Sequence, residues 1–177
     1  RPVEGNGALM RTVYPGLYCS TKGGAEIQAR AFAEMTHRGD KSTEACILYT
    51  RMVYLLTESV SKHQDGNVAD FLHECLKGTF YDASVEKPAT YAAGGYVVDS
   101  MSTAVSCLAH AQTFEEAVCA AANLGGDTDT NAAITGGLAG AWFGFSAIPA
   151  RWVDALAPGL RQDLDILAAA AESHRNK

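Results

Sequence analysis

Gly125-Gly126-Asp127-Thr128-Asp129-Thr130 leads directly into Asn131–Phe145, a run of alanine, glycine and apolar residues. The glycine pair is a stop for a preceding helix, and the polar residues after it are a start for the next. Read this way, the stretch is a helix–turn–helix junction. Asp129 or Thr130 is then the expected cap. A second reading is chemical. In an extended or turn segment, residues at i and i+2 point to one side. Asp127 and Asp129 would then converge, with the Thr130 hydroxyl beside them, as oxygen donors for a hard divalent cation. The two readings are compatible, because one residue can cap and ligate. A phosphate at the helix N-terminus is a third possibility, but two carboxylates would repel it unless a metal lay between them.

Working outward, the glycine-rich run Ala132–Ile148 is nearly uncharged and marginally short for a membrane span. Gly136, Gly140 and Gly144 recur at four-residue spacing, which predicts a buried helix with a glycine face for close packing. Upstream, Thr113-Phe114-Glu115-Glu116 is a capping box that starts an alanine-rich helix through Leu124. Downstream, Ile148-Pro149 starts a helix with Trp152 and Leu156 inward, and Pro158-Gly159 breaks it. A final amphipathic helix over about 160–173 carries Leu164, Ile166 and Leu167.

The N-terminal two-thirds reads the same way. Gly5-Asn6-Gly7-Ala8 is a tight turn whose backbone N–H groups are open to a ligand. A helix is predicted over Ala25–His37 with Ile27, Ala31 and Met35 on one face. Ser42 or Thr43 caps a longer helix to about Ser61, with Ala45, Leu48, Met52, Leu55 and Leu56 as its apolar positions. His63–Gly66 is a loop. Asn67 and Asp70 open a third helix that Gly78 ends. Phe80–Pro88 is a connection. The Tyr91–Asp99 segment, with Gly94-Gly95 inside it, is a loop or short strand before a helix from about Ser100 to Ala111. No alternating strand pattern occurs, so the expected fold is all-α, an orthogonal multi-helix single domain.

Composition narrows the function classes. A chain of 177 residues with 47% hydrophobic and 19% charged residues is globular rather than disordered. A net charge of −6 provides no basic field for nucleic acid or anionic membrane. Five scattered cysteines without a C-x-x-C spacing argue against a disulfide framework and a zinc site, and point to a reducing, cytoplasmic setting. Arg1-Pro2-Val3 is not followed by the apolar stretch of a signal peptide. Arg38-Gly39-Asp40 is an incidental loop. No motif claims His63, His73, His110 or His174.

Four segments together resemble the ADP-ribosylglycohydrolases, in family order over nearly the whole chain. They are Gly125–Ile134 with Gly137–Gly144, Ile148-Pro149 and Trp152; Gly5–Ala8 with Met10-Arg11; Thr36-His37; and Gly95-Tyr96-Val97-Val98-Asp99. The resemblance implies an all-α fold with a central cleft, two Mg²⁺ or Mn²⁺ ions, and hydrolysis of the glycosidic bond at C1″ of ADP-ribose. It implies Asp127, Asp129 and Thr130 as metal ligands, with Asp127 and Asp129 in the catalytic set. It places Gly5, Asn6, Gly7, Ala8 and Met10 near the phosphates and ribose, His37 near the diphosphate or adjoining ribose, and Gly95 and Tyr96 near the nucleotide. Such chemistry passes through an oxocarbenium-like state and needs a positioned water.

The family's Thr-Asp-Asp-Thr motif and its N-terminal Gly-Asp-Ala/Ser motif do not occur here, and no Asp-Asp pair exists in the chain. The chain therefore resembles the C-terminal portion, with an N-terminal half expected as a complementary chain or segment. The alternative expectation is a catalytically incomplete module that binds ADP-ribose or neutralises an ADP-ribosylating toxin. A purely structural relative would need neither Asp127 nor Asp129.

Overall fold

The computed structural model describes residues 4–58, 66–90 and 92–175. Helices form in chain order as α1 (Val13–Tyr18), α2 (Lys22–Glu34), α3 (Asp40–Glu58), α4 (Val68–Leu76), α5 (Ala83–Glu86), α6 (Val97–Ala109), α7 (Phe114–Asn123), α8 (Thr128–Phe143), α9 (Ala150–Asp154) and α10 (Pro158–Arg175). Short 3-10 turns cover Leu9–Arg11 and Phe145–Ala147. The expected all-α class holds. Extended pairing among the described residues is confined to two isolated bridges, Gly5 with Tyr96 and Ala93 with Gly126.

The centre is α3, which packs against α1, α2, α4, α6 and α8. Tyr49, Met52 and Leu56 from α3 meet Leu72 and Leu76 from α4, Met101 and Leu108 from α6, and Ile134 and Leu138 from α8 in one core. All nine side chains are fully buried, and each contributes roughly 1.5–3 kcal/mol by leaving water.

Several caps form where the residue types require them. Thr113 Oγ1 accepts the Glu116 N–H at 3.1 Å, and Asn67 Oδ1 accepts the Ala69 N–H at 2.8 Å. The Glu116 carboxylate reaches back to the Gln112 N–H rather than to Thr113. Gly78 follows α4 at φ +77°.

Other elements depart from expectation for local reasons. Helix α2 starts earlier, because Thr21 Oγ1 caps the Gly24 N–H. Its inward face is Ala25, Ala29 and Ala33, while Ile27 and Met35 stay exposed. Small side chains let α2 lie close on α3. Ser42 and Thr43 do not cap α3; both are buried within it. Its predicted end at Ser61, the His63–Asp65 part of the loop and Tyr91 lie outside the described residues. The Phe80–Pro88 connection contains α5. Helix α6 begins at Val97, not Ser100, since the Tyr96 carbonyl already accepts the Ser100 N–H at 3.1 Å. Pro158-Gly159 opens α10 instead of ending a helix, as proline at a first turn can. Leu164, Ile166 and Leu167 of α10 are exposed, and Ala171 is its buried residue among those described. Trp152 and Leu156 are half-buried. Helix α10 is tied at its end, where Arg175 donates to the Gly16 carbonyl and Glu58 at 2.9 Å.

The glycine face of α8 is narrower than the spacing implied. A methyl at Gly136 or Gly140 would make ordinary contacts, whereas one at Gly137 would lie 2.1 Å from the Tyr49 hydroxyl. Gly144 sits beyond the helix as its C-cap, at φ +81°. No described helix is long and apolar enough to cross a membrane.

Candidate active site

Three segments far apart in the chain meet at the N-terminus of α8. The first contact is backbone to backbone. Asn6 N–H donates to the Gly95 carbonyl at 2.9 Å, and Val97 N–H donates to the Glu4 carbonyl at 3.0 Å. This short bridge lays the Gly5–Gly7 turn along the segment before α6. The second contact is between residues 93 and 126–131. The Ala93 carbonyl accepts both the Asp127 N–H at 2.9 Å and the Asn131 Nδ2 amide at 2.8 Å.

Gly126 makes that approach possible. Its φ is +75°, and a methyl there would lie 2.3 Å from the Ala93 carbonyl oxygen. Gly125, at φ +85°, completes the stop after α7.

Asp127 takes the N-cap position of α8, ahead of Asp129 and Thr130, but its side chain makes no capping bond. The carboxylate turns instead to Asn6, whose Nδ2 donates to Asp127 Oδ2 at 2.7 Å. The second proton of the same amide goes to Ser100 Oγ at 3.0 Å. The Asn6 hydrogen bond holds the Asp127 carboxyl below its usual range; burial opposes this, and bonds from Thr130 and Asp129 reinforce it. Asp127 is therefore ionised at neutral pH, at the positive end of a 16-residue helix.

Asp129 is exposed, and its Oδ1 accepts the Thr130 N–H at 2.9 Å. Because α8 already begins at Thr128, Asp127 and Asp129 do not follow the extended i, i+2 geometry. They are brought together by one standing at the cap and the other in the first turn.

His37 lies against the Gly5–Gly7 turn. A methyl at Gly5 would meet its Nε2 at 3.1 Å. Tyr96 is partly exposed, and its hydroxyl accepts from Lys41 Nζ at 3.0 Å. So Gly5, Asn6, Gly7, His37, Gly95, Tyr96 and Asp127 share one neighbourhood. Ala8 is fully buried, and Met10 is 49% exposed on the following turn. Sequence reasoning assigned no role to Ser100, Asn131 or Lys41. Asn131 directly follows the acidic loop, and its place in the first turn of the next helix was the available signal. Ser100 and Lys41 gave none.

All five cysteines carry free thiols. Burial pushes the thiols of Cys46, Cys75 and Cys107 up to about 11, which makes them inert at neutral pH.

Known proteins resemble this chain along most of its length. The ADP-ribosylglycohydrolase family model matches residues 1–177. The chain is 30% identical over 186 aligned residues to the ADP-ribosyl-[dinitrogen reductase] glycohydrolase of Rhodospirillum rubrum, covering 94% of this chain and 57% of that protein. It is 45% identical over 62 residues to the ADP-ribosylarginine hydrolase Tri1 of Serratia proteamaculans, covering 35% of this chain and 17% of that one. A solved structure described as an ADP-ribosylglycohydrolase-related protein complex superposes with a TM-score of 0.83 at 30% identity, covering 98% of this chain and 61% of that chain. The chain thus spans about three-fifths or less of the length of these proteins, and within that span it belongs to the ADP-ribosylglycohydrolase family.

Proposed function

We propose that this chain binds ADP-ribose and supplies two carboxylates to a divalent-metal-dependent hydrolase that removes ADP-ribose from modified proteins. The carrying observation is the Asn6–Asp127 hydrogen bond, which fastens the glycine turn to the acidic loop. The names of the similar proteins, an ADP-ribosylarginine hydrolase and a dinitrogen-reductase glycohydrolase, support the substrate class. The free thiols suit a reducing, cytoplasmic setting.

The donor set fits Mg²⁺ or Mn²⁺ in kind. Asp127, Asp129 and Thr130 offer oxygen alone. It does not complete a pair of octahedral sites: among the described residues, no group of three or more His, Cys, Asp or Glu side chains could hold a metal ion. Asp127, Asp129 and Thr130 would hold one side of the metal pair, and a complementary N-terminal segment would supply the other. When bound, the metals would polarise a water and fix the ribose hydroxyls.

This chain's own residues have separate tasks in that scheme. Asn6 aims the Asp127 carboxylate and favours its ionised form. The Gly5–Gly7 turn lets a diphosphate approach the backbone. With one oxygen toward the metals, Asp129 would take the proton from a water attacking C1″ on its other oxygen, while the acceptor leaves with the electron pair of the broken bond and takes a proton from solvent.

The test is native mass spectrometry of the chain with its complementary segment. It is followed by an assay for Mg²⁺- or Mn²⁺-dependent release of ADP-ribose from an ADP-ribosylated protein. A one-to-one complex should be active, and Asp129→Ala should lower its rate by more than the roughly 10–100-fold typical of groups outside the ligand set. An inert complex, unchanged by Asp129→Ala, would remove the hydrolase reading.

The incomplete carboxylate set favours one second reading, a module that holds ADP-ribose or neutralises an ADP-ribosylating toxin without turnover. It predicts heat on titration with ADP-ribose, or a toxin that co-purifies, with no hydrolysis in any combination.

A further inference from the structure

His37 uses its two ring nitrogens differently. Nε2 faces the Gly5–Gly7 turn, where the missing side chains of both glycines leave room for the ring. Nδ1 lies 2.7 Å from Thr36 Oγ1. The same Thr36 oxygen receives a proton from Arg11 Nη2 at 2.5 Å. Arg11 is itself fixed by the carbonyls of Phe32 at 2.9 Å and Gly7 at 3.3 Å.

The proton count follows from the chemistry of the groups. A guanidinium only donates, so Thr36 Oγ1 accepts from Arg11 and has its own proton to give. Nδ1 is the acceptor at hand. In the opposite arrangement an Nδ1–H would point at an oxygen already receiving a guanidinium proton, and the hydroxyl proton would lose that partner. Burial and the nearby Arg11 charge both hold His37 below its usual pKa, so the ring is neutral at pH 7. A neutral ring that accepts at Nδ1 carries its proton on Nε2.

We infer that Arg11 and Thr36 are positioning residues that fix His37 as the neutral Nε2–H tautomer, so that it offers one hydrogen-bond donor to an acceptor oxygen of ADP-ribose at the Gly5–Gly7 turn. The ligand half of this inference rests on the proposed function; the tautomer does not. Neither Arg11 nor Thr36 touches the ligand in this scheme. Thr36 is exposed at the end of α2, so a change there leaves the core intact.

Long-range ¹H–¹⁵N spectra of the 177-residue chain, labelled at histidine and without ligand at pH 7.5, read the tautomer directly. His37 should show a protonated Nε2 and a bare Nδ1, with its signals assigned through His37→Gln. Thr36→Val should convert it to a tautomer mixture, and Thr36→Ser should restore the original pattern. A protonated Nδ1 in the unmodified chain, or a Thr36→Val spectrum identical to it, overturns the inference.

Calorimetric titration with ADP-ribose separates the two levels. The unmodified chain and Thr36→Ser should bind alike, and Thr36→Val more weakly in proportion to the His37 fraction still in the Nε2–H form, about twofold for an even mixture. Equal binding by Thr36→Val overturns the inference and leaves the functional reading standing. No binding by the unmodified chain removes the functional reading and the ligand half with it, while the spectra still decide the tautomer.

Discussion

Asn6 and Asp127 stand 121 positions apart and share a 2.7 Å hydrogen bond, so the start of the described chain orients the carboxylate at the head of α8. Both protons of the Asn6 amide are committed, one to Asp127 and one to Ser100. Replacement by alanine leaves both acceptors without that donor in a largely buried place. Asn6→Ala should therefore cost roughly 1–3 kcal/mol, read from urea unfolding. It should also raise the titration midpoint of the Asp127 carboxyl in ¹³C spectra, since this bond is the main influence lowering it. An unmoved midpoint would show that the bond does not control the charge on Asp127.

Glycines at positive φ differ in what surrounds them. Gly126 and Gly144 have nearly the same φ, +75° and +81°. At Gly126 an added methyl would collide with the Ala93 carbonyl at 2.3 Å, whereas nothing lies within 4 Å of one at Gly144. Gly144→Ala should cost only the local backbone strain, about 1–3 kcal/mol, because φ +81° with ψ 167° is backbone that glycine nearly monopolises. Gly126→Ala adds the loss of the Ala93 junction and should cost more than about 3 kcal/mol. Urea midpoints that fall equally for both would mean that φ alone matters.

How far the sequence disclosed this molecule depended on whether a feature was local. Thr113 and Asn67 started helices and Gly78 ended one where read, because these signals act between residues a few positions apart. The inward face of α2 was misread for the opposite reason. Ile27 and Met35 are larger and more apolar than the alanines, but α3 lies so close that only Ala25, Ala29 and Ala33 fit between. Asp127 was missed as the N-cap residue, and it makes no capping bond because its carboxylate is drawn away by Asn6, a partner that only the tertiary fold supplies. The Arg11–Thr36–His37 chain was hidden likewise, although the resemblance had already singled out all three residues.

The four-residue glycine spacing in α8 pointed to the right helix and the wrong glycine. Gly137, one position out of that register, lies where Tyr49 donates its hydroxyl proton to the Ile134 carbonyl at 2.9 Å. Gly137→Ala would push Tyr49 off that carbonyl in the middle of the core. It should cost roughly 1–3 kcal/mol or more, the range for overpacking. Gly136→Ala and Gly140→Ala meet only Val118 and Phe114 at ordinary distances, so the better helix propensity of alanine should raise stability by about 0.5–1 kcal/mol. Thermal unfolding of the three variants would rank them, and a stable Gly137→Ala chain would count against the tight Tyr49 contact.

A pH dependence is built in where α4 meets α5. His73 Nδ1 lies 2.7 Å from Asp82 and its Nε2 3.1 Å from Glu86, with Glu74 and Lys77 bordering the same hollow. The hydrogen bond to Asp82 raises the His73 pKa most; burial opposes it, and the charges of Asp82 and Glu86 add to it. The folded state therefore binds this proton more tightly than the unfolded chain, whose histidine titrates near 6.5. The stabilisation is fully present below that value and is lost as pH rises through the folded pKa. His73→Gln removes the titration and keeps a polar side chain. The urea midpoint of the unmodified chain should exceed that of His73→Gln at pH 5.5, and the gap should narrow at pH 7.5 and 8.5. The effect is small, because the pair is largely solvated and added salt screens it. A gap that holds constant across this range would mean that His73 stabilises the α4–α5 junction by packing and not by charge.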